Sequence, residues 1–591
     1  MFKNYTTNQV VLPLDFSFQL EKNDIAFAID ELIESIPEQR FIPFHHQMGP
    51  SSYHPKMMMK MILCAYTQSV FSGRKIEVLT KDSIRMMWLT QSYQPSYRTI
   101  NRFRVNPLVN TLLRECFVQF RSQLVKEQLI DEEAIFIDGT KIEANANKYT
   151  FVWRKSIDNF DKKLTEKSAF LYDELVKNTI IPEIERESTN ELSPTELSQI
   201  EEHLTHVVDK FTEKITQEED GTTRKSLRSK RKIPKKIRKL FRDFKERKLA
   251  YQRHRQILGK RNSYSRTDLD ATFMRMKDDP MKNGQLKAGY NLQIATNNQY
   301  ILGYDLFSNP TDTRTLRPFL TTLKECFFEL PTYIVADAGY GGEENYQAIL
   351  EDHERIPLIT YAMYHKEQKK KFKQNPFLPA NWSYQELDDT FLCPNGRKMR
   401  FRNYSIRTDK YGFKRYLKRY ECEDCSNCPL RSQCTKAKGD KNREIQKNMN
   451  WEYFKATIQQ LLSEEETGKI YRQRKIDVEP AFGHLKACLG FTRFSVRGKQ
   501  QTHNEIGFAL MAINLRKYRL NMPATKEDSS NNLKNRRPKI LFTIFGRLFY
   551  DSWDLCPKLR IFIFENSDTA GVKEPERGAQ KRKYSRRCPS G

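Results

Sequence analysis

The chain has 591 residues, of which 38% are hydrophobic and 30% charged, and its 101 Lys and Arg against 74 Asp and Glu leave a formal charge of +27. At ~150 residues per domain this length suggests about four domains, with core enough to need no disulfides, and the positive excess points to a polyanionic partner, nucleic acid first. No apolar run approaches the ~20 residues of a membrane span: the nearest, Ile540–Phe549, is broken by Arg547, and Met1-Phe-Lys-Asn-Tyr lacks a basic stretch leading into an apolar one, so neither membrane insertion nor export is expected.

Residues 1–130 read as a helical, helix-turn-helix-like DNA-binding domain. Pro55 opens a Met-rich helix, a Ser72-Gly73 break leads to a second, and Pro95-Ser96 starts a third, with Ser96 as its N-cap. The third helix buries Ile100, Phe103, Leu108 and Leu112 and leaves Arg98 and Arg102 for DNA. Strand character follows over 131–150, where the β-branched run Ile135–Ile137 ends at Asp138-Gly139.

Helical periodicity then returns over 151–265. Its second part, Arg224–Arg261, carries 18 Lys and Arg against Asp243 and Glu246, a net +16 in 38 residues. Such density repels itself unless a polyanion lies alongside. With Phe241, Phe244, Tyr251 and His254 interleaved, the stretch is expected to track DNA phosphates, and Lys235, Lys236, Arg238 and Lys239 are its predicted contacts.

Residues 266–365 return to a mixed α/β pattern: alternating segments at Tyr290–Ala295 and Tyr300–Tyr304, a helix opened by Asp312 or Thr313, and a buried strand, Tyr333–Ala336, that ends at Asp337. A strand at Ile356–Tyr361 precedes a Cys-rich insertion, 366–450. Helices with Glu479 follow over 451–520, and a tail, 521–591, reads as poorly ordered.

Eleven cysteines in a chain with no export signal suggest reduced thiols. Five of them crowd into one segment: Cys393 and the run Cys422-x2-Cys425-x2-Cys428-x5-Cys434. Pairs two residues apart clamp tetrahedral zinc, so Cys422, Cys425, Cys428 and Cys434 are candidate structural Zn²⁺ ligands, with Cys393 as an alternative fourth.

Asp138, Asp337 and Glu479 carry the candidate chemistry. Two end strands, where ligands of an open sheet converge, and the third lies where helix resumes. Three carboxylates suit Mg²⁺, and two such ions activate an attacking oxygen and stabilise a leaving one.

The motifs, in order, are His54-Pro-Lys-Met-Met, Pro95-Ser-Tyr-Arg-Thr-Ile-Asn-Arg-Phe-Arg104, Ile137-Asp-Gly-Thr-Lys-Ile-Glu-Ala-Asn145, Gly289-Tyr-Asn-Leu-Gln293, Ala336-Asp-Ala-Gly-Tyr340 and Val478-Glu-Pro-Ala-Phe-Gly483. Over about residues 40–520 this order resembles the insertion-sequence DDE transposases, in the eleven-eighty-two branch related to the IS-four superfamily. The resemblance implies an RNase H-like mixed-sheet core with Asp138, Asp337 and Glu479 catalytic around two Mg²⁺ ions. It further implies cleavage and joining of element ends and target DNA by a homodimer in the bacterial cytoplasm, associated with the nucleoid. A Tyr-Arg-Glu-Lys signature of the relatives is met by Lys486, seven residues after Glu479. Lys475 takes the Arg position, while Tyr471 and Arg474 fall one residue early. Lys475 and Lys486 are therefore expected beside the triad, holding a DNA phosphate. A catalytically inactive DNA-binding relic of a transposase is the alternative.

Overall fold

Apolar residues three and four apart make the first hundred described residues helical. The computed structural model describes residues 20–521, except 22, 46–50, 189–190, 277–283, 438 and 440; the tail expected over 521–591 lies outside them beyond Asn521. The helices are α1 (Ile25–Glu34), α2 (Pro55–Thr67), α3 (Gly73–Asp82), α4 (Ile84–Thr90), α5 (Tyr97–Val105) and α6 (Leu108–Lys126). The predicted second helix is two, because Ser83 turns extended and caps α4 through the Met86 N–H. Ser96 caps α5 as expected, accepting from the Thr99 N–H at 3.4 Å. Pro107 holds Asn106 extended and ends α5 there. Leu108 consequently starts α6 and is exposed, rather than lying on the apolar face of α5.

β1 (Ala134–Glu143) is the spine of the central sheet. After β2 (Phe151–Trp153) come three long helices, α7 (Arg154–Lys177), α8 (Pro194–Gln217) and α9 (Gly221–Leu258). They close on their own core of Leu164, Tyr172, Leu197, Ile200, Leu204, Phe241 and Phe244. Phe241 and Phe244 therefore do not interleave with the surface charges, contrary to expectation: as the α9 residues facing α7 and α8 they are the apolar seam of a helical packing. Then follow β3 (Ser263–Ser265), β4 (Thr272–Arg275), β5 (Leu286–Asn297), β6 (Tyr300–Phe307), α10 (Leu316–Cys326), β7 (Tyr333–Ala336), α11 (Glu343–Gln347) and β8 (Ile356–Ile359).

β1 pairs antiparallel with β5 and parallel with β7; β7 pairs parallel with β8, and β4 and β6 flank β5. Two short parallel strands beside a β1–β5–β6 meander form the mixed sheet of an RNase H-like core. Asn298 and Gln299 turn β5 into β6 at φ 49° and 63°, the left-handed pair that a two-residue hairpin needs.

The segment expected as a Cys-rich insertion is a second antiparallel sheet: β9 (Tyr384–Gln385), β10 (Thr390–Leu392), β11 (Lys398–Thr408), β12 (Lys414–Cys422) and β13 (Glu444–Lys447). Its cysteines come from a strand end (Cys422), connecting loops (Cys393, Cys425 and Cys428) and the end of a four-residue helix (Cys434), so they belong to this sheet and form no separate Cys-rich unit. The chain ends its described part in α12 (Met449–Ser463), α13 (Glu465–Gly483), a π-helical turn His484–Cys488, and α14 (Lys499–Asn521). From Thr502 to Leu515 α14 is buried all round, as a helix through the middle of a core must be. Asn514 clasps the β6 backbone, donating to the Ile301 carbonyl at 2.7 Å and accepting its N–H at 2.9 Å. The N-terminal helices and the sheet share one apolar core around it. No helix among the described residues is long and apolar enough to cross a membrane.

Candidate active site

Parallel pairing of Ile137 with Ala336 sets Asp138 and Asp337 side by side, one residue past the last rung. Asp138 is buried; its Oδ1 accepts the Gly139 N–H at 2.7 Å, and its Oδ2 lies 4.0 Å from Arg474 Nη1 of α13. Asp337 is half-buried, and its Oδ1 accepts the Gly339 N–H at 2.8 Å. Asp337 is held by the turn that follows its strand, as expected, but Asp138 does not end β1. The strand runs on through Gly139 to Glu143, because Gly139 to Glu143 stay paired with Gln293 to Gly289 of β5.

A third carboxylate, which the sequence showed only as a helix opener, joins this pair. Asp312 Oδ1 accepts from Asn291 Nδ2 at 2.8 Å and Gln293 Nε2 at 3.2 Å. Tyr340 donates to Gln293 Oε1 at 2.5 Å. Burial first, then the charges of Asp312, Asp138 and Asp337, push the Tyr340 hydroxyl well above its ordinary value. Asn291 and Gln293 are fully buried and alternate with the buried apolar Tyr290, Leu292 and Ile294 in β5. That alternation was the available signal, because buried polar groups require partners. Gly139 leaves the room: a Cβ there would press on Gln293 Nε2 and lie 2.9 Å from Asp312 Oδ1.

Glu479 is placed differently. Toward the sheet α13 presents Ile470, Arg474, Asp477, Val478 and Ala481, and Glu479 is exposed. Five residues beyond Arg474 on an α-helix is a rotation of about 140°, so Arg474, not Glu479, faces Asp138. Tyr471 also points inward, its hydroxyl 3.1 Å from Thr360 Oγ1. Lys475 shares the exposed face of Glu479. Lys486 is half-buried in the π-helical turn, where wider winding breaks the offset of seven that would align it with Glu479. The helix runs through Pro480 and changes winding only at His484, although Pro480 lacks the N–H that would bond the Ile476 carbonyl.

The donor set decides what a metal finds here. Asp138 and Asp337 offer adjacent hard oxygens suited to Mg²⁺, but α13 delivers no carboxylate to them. Among the described residues no group of three or more His, Cys, Asp or Glu is arranged to hold a metal ion. The residues as placed do not fit a two-ion triad.

Of the predicted DNA contacts, Arg98 and Arg102 are exposed on α5, and Lys235, Lys236 and Lys239 on α9, while Arg238 is half-buried. The five candidate zinc ligands, Cys393, Cys422, Cys425, Cys428 and Cys434, line one small cavity at the end of the second sheet. Burial and the neighbouring Cys425 push the Cys422 thiol up to about 12.

Sheet order, aspartates on two neighbouring parallel strands and exposed cations on the helices are consistent with an RNase H-like core. A family profile described as Transposase DDE domain matches residues 392–519, and a second, Transposase domain (DUF772), matches 14–106. No curated protein and no solved structure matches the chain. The first profile contains Glu479, whereas Asp138 and Asp337 lie outside both spans.

Proposed function

We propose that this chain is a DNA-binding protein of transposase lineage, in the eleven-eighty-two branch, that grips the terminal inverted repeats of an insertion sequence. The two matched transposase domains carry this reading, and the exposed cations of α5 and α9 supply the surface for it. The geometry favours a binder whose strand chemistry is lost or held back, because α13 sets the cation of Arg474 rather than the carboxylate of Glu479 against Asp138.

The second reading is an active Mg²⁺-dependent DDE transposase that cleaves and joins DNA, working as a homodimer on two element ends. It is favoured by the side-by-side Asp138 and Asp337, an arrangement that two parallel strands do not produce by hydrophobic pattern alone. Glu479 then completes the site only after α13 turns. Structural zinc on the clustered thiols belongs to either reading.

A strand-transfer assay with a 3′-OH donor end, a target plasmid and Mg²⁺ separates the two. Shifted complexes without cuts support the binder. Joined products that Asp138→Asn, Asp337→Asn and Glu479→Gln each abolish support the transposase, since losing one ligand of a two-metal site removes both activation and leaving-group stabilisation. A chain that shifts no duplex overturns both.

A further inference from the structure

The β11–β12 hairpin is a cation-rich surface that neither predicted DNA-binding module includes, although Lys398, Arg400, Arg402, Arg415 and Lys418 are paired with nearby acids. Residues 398–422 hold nine Lys and Arg against Asp409 and Glu421, a net +7. Beyond Arg400, β11 has no partner other than β12, because β10 pairs only with residues 398–400. The far half is therefore a free two-stranded ribbon.

Its register sorts the side chains onto two faces. Tyr404 pairs with Lys418, Ile406 with Tyr416 and Thr408 with Lys414, so these six share one face. Arg407 and Arg415, and Ser405 and Leu417, share the other. That second face meets the core only at Arg415, whose Nε lies 3.4 Å from Glu343 Oε2 at the start of α11, while Arg407 paired with it stays exposed. The first face turns to solvent with Tyr404 68%, Ile406 60% and Tyr416 58% exposed. Three neighbouring large apolar side chains rimmed by cations are an interaction site rather than ordinary surface.

The ribbon is also tied to the carboxylate pair. Asp409 at its turn is bound by the Arg314 guanidinium, which lies 4.3 Å from the centre of the Tyr411 ring. Burial by itself would raise the Asp409 carboxyl, but Arg314 and the N–H groups of Tyr411 and Phe413 hold it down at about 2. Next to Arg314, Thr313 donates to the Gly339 carbonyl at 2.7 Å, and the Gly339 N–H binds Asp337. The ribbon turn is thus linked to Asp337 through Arg314, Thr313 and Gly339.

We propose that the outward face of this ribbon is a third DNA-binding surface, which seats the duplex flanking the point that Asp138 and Asp337 address. A two-stranded ribbon fits the major groove. Lys414 on this face and the exposed Arg407 behind it match the phosphates on either side, and the tyrosines and Ile406 supply apolar contact to base edges and sugars. The proposal rests on the DNA-binding reading above and adds the surface.

Fluorescence anisotropy of the full chain with a labelled duplex carrying an element end tests it. Tyr404→Ala with Tyr416→Ala should weaken affinity about tenfold, as loss of central aromatic anchors does. Arg407→Gln with Lys414→Gln should make the slope of log affinity against log salt shallower by roughly 1.8, about 0.9 for each phosphate no longer neutralised. All four side chains are exposed, and an unchanged thermal midpoint checks the fold. Wild-type binding that survives both double variants with the same slope overturns the ribbon assignment alone. So does a loss of self-association without loss of DNA affinity, or a Tyr404-dependent preference for single strands. Failure of the wild-type chain to bind any duplex instead overturns the DNA-binding reading itself.

Discussion

Gly341 sits four residues past Asp337, where the chain leaves the strand end and passes close to the next strand. A Cβ there would press on the Thr360 carbonyl oxygen and lie 2.9 Å from Tyr361 Cα. Backbone cannot swing aside as a side chain can, so Gly341→Ala should cost about 1–3 kcal/mol, read as a lower urea midpoint with unchanged slope. Gly139 is the contrasting case, since its nearest neighbours are the flexible ends of Gln293 and Asp312. Asp138 and Asp337 were legible in the sequence because each follows a run of strand-forming apolar residues, although only Asp337 proves to end its strand and β1 continues past Asp138 to Glu143. Asp312 was not, because its role comes from Asn291 and Gln293, which are distant in the chain and reach it only through the pairing of β5 beside β1.

The basic stretch shows at the scale of an element how charge and surface part company. Of its cations, Lys248 is buried against Asp161 at 3.5 Å and Glu191 at 2.5 Å, Arg242 and Lys245 bind Glu201, and Arg255 binds Asp158 and Asp161. The second half of α9 is therefore neutralised by the acids of α7 and α8 and of the connection between them, and the first half remains open. Replacing Lys235, Lys236, Arg238 and Lys239 with Ala should weaken binding to all duplexes alike. The salt slope should become shallower by roughly 2.7, three times about 0.9, since only three of the four are fully exposed. A titration at several salt concentrations checks this, and an unchanged slope would assign the stretch to structure alone. The +16 was readable from composition; which half is free was not, because ion pairs form between helices separated by dozens of residues.

Across the whole molecule, the N-terminal helices are joined to the core helix α14 by a buried ion pair. Arg104 on α5 reaches Glu505 on α14 at 3.4 Å and Ser495 at 2.9 Å, and it also donates to the Phe71 carbonyl. Glu505 in turn accepts the Ser495 N–H at 2.9 Å. Both charged side chains are almost fully buried, so Arg104→Ala strands a carboxylate in the core. It should cost about 3–5 kcal/mol, measured as a loss of stability in denaturant. Arg104→Ala together with Glu505→Ala should recover part of that loss.

The sequence by itself determined the elements and their kinds: the helical first hundred residues, the β1 spine, the β5–β6 hairpin, the short parallel strands and the cation-rich helix. Each follows from local periodicity, turn residues and propensity, which act over a few neighbours. Tertiary structure decided which faces those elements show. The phase of α13 turns Arg474 to Asp138 and Glu479 to solvent, and the register of β11 with β12 turns Tyr404, Ile406 and Tyr416 outward. Phase and register depend on what packs against an element from elsewhere in the chain. A rotation of one residue, about 100° on a helix or a full change of face on a strand, leaves every local signal unchanged.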